Sequence, residues 1–192
     1  MCVTFQTALR YLGAAIVFGI CGALSAAVLL PVPGGFPFRQ TFGNYLLGLP
    51  FSLLCTLWFM RTPRAVLIII SMSLTWIVSY RVATIVGMIY DPPYPFLAAW
   101  VGGLIGGLGL TLSAAIGWKR LLTPRHLIVG CAVGWLSALP LGIWLGANES
   151  INSATPSTLY CAFGIWQAAT GMYLYGICIN ASTKTRHEVA VR

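Results

Sequence analysis

The chain has 192 residues, 58% of them hydrophobic and only 7% charged, with a formal net charge of +8. About a quarter of the residues of a soluble domain are charged, so this composition excludes one and makes lipid the solvent for most of the chain. Six spans of about 20 residues would use most of the length and leave no room for a separate soluble module.

Apolar blocks fall at residues 8–31, 44–60, 65–90, 96–118, 126–146 and 159–181. Each reads as a transmembrane helix, because backbone in lipid must satisfy its own hydrogen bonds and no segment alternates as a barrel strand does. The predicted fold is all-α, a polytopic single domain over residues 1–192 with six transmembrane helices. The first block is too long for a signal-peptide core and five more follow it, so it reads as a retained span. It carries Gly19, Ala23 and Ala27 at four-residue spacing, a face on which another helix can come close. The third block is long enough to tilt or to project from the bilayer. The fourth has two such registers, Gly102 with Gly106 and Gly103 with Gly107. Through these faces the chain is expected to meet other membrane subunits or a second copy of itself. Trp58, Trp100, Trp118 and Trp144 sit near block ends and suit interfacial anchoring, whereas Trp76, Trp135 and Trp166 lie deeper.

The connections sort by charge. Arg10, Arg61, Arg64, Lys119, Arg120, Arg125, Lys184, Arg186 and Arg192, opposed only by Glu188, fall in the tails and in the second and fourth connections, and together they carry the whole +8. Lys and Arg are retained on the cytoplasmic side during insertion, so both termini are predicted to be cytoplasmic, in a bacterial inner (plasma) membrane. Singles and threes of basic residues beside span ends do not form a nucleic-acid surface. In Thr62-Pro63-Arg64 and Thr123-Pro124-Arg125 the Thr is placed to cap the next helix and the Pro to occupy its first turn. These triplets lie 61 residues apart, as do Pro95 and Pro156, and Thr7-Ala8-Leu9-Arg10 is a looser third copy. Either the chain is three tandem helical hairpins or short inside loops share these residue preferences. The outer connections, around 31–43, 91–95 and 147–158, are rich in Pro, aromatic and polar residues and are read as a lid.

Arg81 is the one charge well inside an apolar block. Such a charge costs roughly 2.5 to 3.5 kcal/mol on insertion scales, so it calls for an anionic partner, a watery cavity or a headgroup. Ser73, Tyr80, Arg81 and Thr84 occupy one helical sector about 100° wide, a polar stripe leading to the outer mouth. Either Arg81 binds an anionic ligand, for which a planar guanidinium is suited, or it snorkels to headgroups or ties to Asp91 or Glu149. In the sixth block Gln167 shares a side with Tyr160, Gly164, Gly171 and Tyr175, which suits either a ligand wall or an interhelical hydrogen bond.

Enzymatic sets are missing. His126 and His187 are the only histidines and both fall at the inside edge, Asp91 is the only Asp, and no carboxylate lies within a span. No metal site, cofactor or catalytic dyad is therefore expected, nor proton coupling through buried carboxylates. The six cysteines show no CxxC spacing and read as small core residues.

In layout the chain is similar to the substrate-binding subunits of energy-coupling-factor vitamin transporters: six helices, both ends inside, a close-packed first helix and capping outer loops. The resemblance covers topology and length, and it implies that Ala23 and Ala27 contact a coupling subunit. The expected function is a membrane binding or transport subunit for a small polar or anionic solute, with Arg81, Tyr80, Thr84, Gln167 and Ser73 lining an outward pocket. The alternative is a non-catalytic accessory or assembly subunit of a larger complex.

Overall fold

A computed structural model describes residues 5–29, 48–60, 62–90, 95–148 and 156–190. Within them the protein is all-helical: α1 (Phe5–Leu29), α2 (Leu49–Trp58), α3 (Ala65–Tyr90), α4 (Pro95–Gly117), a 3-10 turn (Lys119–Leu121), α5 (Pro124–Asn148) and α6 (Pro156–Ala190). Four stretches among the described residues, Gln6–Leu24, Ala65–Gly87, Phe96–Gly117 and Pro124–Ile143, are long and apolar enough to cross a membrane. That is the pattern of a multi-pass membrane protein.

Two predicted spans differ in length from the helices found. Of 44–60, the described helix covers the ten residues of α2, about 15 Å or half a hydrocarbon core, and residues 44–47 lie outside the described ones. Gly48 at the N-cap and Pro50 in the first turn mark its start. At the other extreme, α6 runs nine residues past the predicted end at 181, because no Gly or Pro follows Gly176 to stop it. Its 35 residues reach about 52 Å, more than a bilayer core requires. The second cap forms as expected, with Thr123 Oγ1 accepting the His126 N–H at 3.3 Å, whereas Thr62 Oγ1 accepts the Arg64 N–H at 3.2 Å in a turn that precedes α3.

The helices form a closed circuit in the order α1, α6, α5, α4, α3, α2, with α4 also touching α6. The most extensive interfaces are α4 with α5, α1 with α6 and, nearly as large, α3 with α4, so the middle hairpin packs closely on itself while the outer two meet their neighbours more than themselves. Contacts also define a common end. Tyr11 meets Tyr175 edge-on at 5.5 Å, Phe59 meets Tyr175 at the same distance, Tyr173 donates its O–H to the His126 carbonyl at 2.7 Å, and Arg64 donates to the Ile116 carbonyl at 2.9 Å. The starts of α1, α3 and α5 and the ends of α2 and α4 thus gather at one end, beside residues 173–175 of α6. It is the end that holds the basic clusters, and it is called the basic end below.

The exterior is as apolar as the core. Leu12, Ile16 and Ile20 on α1, Val66, Ile70, Leu74 and Val78 on α3, and Ile128, Leu136 and Ile143 on α5 are all exposed. No charged side chain is buried among the described residues, and the buried hydroxyls mostly bond back to their own helix, as Thr56 does to the Ser52 carbonyl at 2.7 Å and Thr111 to the Gly107 carbonyl at 2.8 Å. Ring contacts follow one another from Tyr11 through Tyr175, Phe59, Phe18, Phe51 and Trp76 to Trp166. This aromatic column fills the middle of the bundle from the basic end upward.

The outer connections read above as a lid, with Arg39, Asp91 and Glu149, lie outside the described residues apart from their ends.

Candidate functional site: a cavity in the outer half of the bundle

α4 is the element around which the site is built, because it presents glycine on two faces. On one, a methyl at Gly103 would stand 2.5 Å from the Gly134 carbonyl oxygen, and a methyl at Gly107 would meet the Gly130 carbonyl closer still, so α5 approaches backbone to backbone. On the other, a methyl at Gly102 would come within 2.9 Å of the Ala83 Cβ on α3, and one at Gly106 within 2.5 Å of the Trp166 ring on α6. The glycine registers expected to recruit other subunits are therefore occupied by the protein's own helices. Gly19 likewise faces Ala168 and Gly164 of α6, Ala23 is half-buried, and the surroundings of Ala27 lie outside the described side chains.

Toward the end away from the basic clusters, the four helices α3 to α6 leave a cavity of about 90 Å³. Trp76, Tyr80, Phe163 and Trp166 supply aromatic walls, while Ala83, Ala98, Ala99, Gly102, Gly103, Ala138 and Ala162 leave the space between them. Trp76 and Trp166 stand edge-on with centroids 4.5 Å apart, and Phe163 lies over Trp76 at 6.4 Å. Pro140, which withholds an N–H from the α5 ladder, sits between the lining residues Ala138 and Leu141. The polar groups nearby are mostly engaged: Ser79 donates to the Gly102 carbonyl at 2.6 Å and Trp166 Nε1 to the Gly134 carbonyl at 3.1 Å. The buried Trp76 Nε1 has no hydrogen-bond partner among the described residues. Among the described residues the lining carries no carboxylate, imidazole, thiol or cation, so its chemistry is that of an apolar slot beside tryptophan and tyrosine.

Of the five residues expected to line a pocket together, Tyr80 does line this cavity and the other four are absent from its wall. Ser73 turns to α2, where its Oγ lies 3.3 Å from the Ser52 Oγ. The Thr84 hydroxyl donates to the Tyr80 carbonyl at 2.9 Å. Gln167 is fully buried within the bundle next to Trp166. Arg81 is exposed. At about 100° per residue it lies roughly 150° around α3 from the direction shared by Trp76 and Ala83. The structure therefore separates Arg81 from Gln167.

The sequence reading missed Trp76, Phe163 and Trp166 as wall residues. A signal was present, since Trp76 and Trp166 stand away from the block ends where tryptophan anchors headgroups. No family model matches the chain, and comparison with characterised proteins and with solved structures finds no match.

Proposed function

We propose that this protein is a membrane-embedded binding or transport subunit for a small, uncharged polar solute that enters the α3 to α6 cavity from the end opposite the basic clusters. The observation that carries the reading is the cavity itself, with four aromatic walls and alanines and glycines between them. Its volume sets the scale. About 90 Å³ is below the ~150 Å³ that admits benzene and well below the ~300 Å³ at which drug-sized pockets begin. Solutes of urea, acetamide or glycerol size suit it, whereas a vitamin does not fit this conformation. An anionic solute gains no support from a wall without a cation.

In this reading the chain crosses a bacterial inner membrane six times, with both termini cytoplasmic. The collection of α-helix ends beside the basic residues supports the orientation, as does the return of the chain from α1 to the same end by the end of α2. The aromatic column closes the cavity from the basic end. Passage to the cytoplasm then requires those helices to move, which is a task for a coupling partner.

The test is solute-driven volume change of proteoliposomes, followed by light scattering, together with binding to the purified protein in nanodiscs. Urea, acetamide and glycerol serve as probes. Wild-type protein is expected to bind or pass at least one of them, and Ala98→Leu, which fills the cavity, is expected to abolish the effect. Equal behaviour of the two proteins, or none with any probe, leaves the accessory-subunit reading in its place.

A further inference from the structure

A second site lies on the opposite side of α3 and does not depend on the cavity: we propose that Arg81 holds the phosphate of a phospholipid in the leaflet away from the basic end. Leu74, Val78, Arg81 and Ile85 follow one another at helical spacing along a single exposed ridge, and the three aliphatic members are 53%, 50% and 54% exposed. Arg81 makes no hydrogen bond or ion pair with any described residue. The apolar stretch of α3 reaches at least Gly87, so Arg81 sits at least six residues, about 9 Å, inside it. A guanidinium at that depth needs an anion brought to it.

Two features of the ridge favour lipid over a neighbouring helix. Helices that pack closely in membranes do so through small residues, and the small residues of this part of α3 all face inward: Ser79 bonds to the Gly102 carbonyl, Ala83 abuts Gly102, and Gly87 lies against Ala98. What remains outward is large and branched, a surface for acyl chains. The anion that a bilayer supplies beside acyl chains is the phosphodiester, whose paired oxygens match the guanidinium fork. Because helical Cα–Cβ bonds tilt toward the N-terminus, which for α3 is the basic end, the Arg81 side chain starts out directed away from the nearer headgroups. The phosphate must therefore descend to meet it, thinning the bilayer at this face.

The experiment is native mass spectrometry of the protein released from nanodiscs of phosphatidylcholine and phosphatidylglycerol, comparing wild type with Arg81→Leu, Arg81→Lys and the control Ile85→Leu. Leucine suits an exposed aliphatic ridge, so Arg81→Leu is expected to fold, with unchanged helicity by circular dichroism. Wild type and Ile85→Leu should retain a bound phospholipid, Arg81→Leu should lower its occupancy about tenfold, and Arg81→Lys should fall between. A photocrosslinker at Val78 in native membranes should then capture lipid. Equal phospholipid retention by wild type and Arg81→Leu, or crosslinking of Val78 to another protein, overturns the proposal.

Discussion

The two halves of this bundle use aromatic residues in opposite ways. Near the basic end, Tyr11, Phe18, Phe51, Phe59 and Tyr175 meet one another ring on ring, and Gly171 is small because the Phe18 ring occupies the place of its side chain. In the outer half, Trp76, Tyr80, Phe163 and Trp166 meet alanines and glycines across α4, and a cavity of about 90 Å³ remains. Glycine on its own therefore signals neither a tight seam nor a pocket. The outcome depends on whether a backbone, a ring or nothing fills the room that it leaves.

The contrast can be broken most severely at the seam. Gly107→Leu drives a side chain into the Gly130 backbone and should cost about 3 kcal/mol, read as a fall in stability toward denaturant in mixed micelles. Cap loss at the basic end comes next: Thr123→Ala removes the acceptor for the His126 N–H and should cost about 1 kcal/mol by the same measurement, with faster hydrogen exchange in the first turn of α5. Tyr173→Phe deletes the bond to the His126 carbonyl, and interhelical bonds of this kind in membranes average about 0.6 kcal/mol, so a small loss is expected. The smallest effect on stability belongs to the outer half. Ala98→Leu fills space rather than displacing atoms, so it should be neutral or stabilising by about 0.5 kcal/mol, while removing solute binding.

Much of the fold was legible because charge and proline punctuate the chain. α3 occupies 65–90 as expected, α4 and α5 start within two residues of their predicted positions, and one Thr-Pro-Arg triplet begins a helix while the other immediately precedes one. The end of α2 was drawn two residues too far, since apolar content alone does not show that the helix stops at Trp58. The glycine faces announced close approach, but spacing on one helix does not say whose backbone arrives, and here it is that of α3 and α5. The polar stripe on α3 shares a sector of the helix but not one environment: Ser73 turns to Ser52 on α2, while Tyr80 lines the cavity. The cavity is on the side of Trp76 and Ala83, and Arg81 is on the exposed side. Phe163 and Trp166 reach Trp76 only through tertiary packing, which no period along one helix encodes.

The central claim is that the outer-half cavity receives a small uncharged solute beside Trp76. Its most direct test is the indole N–H resonance of Trp76 in ¹⁵N-labelled protein in nanodiscs, assigned with Trp76→Phe and followed as urea, acetamide or glycerol is added. A saturable shift in wild type that is absent in Ala98→Leu is the predicted result. No shift with any of the three, or the same shift in both proteins, would contradict it.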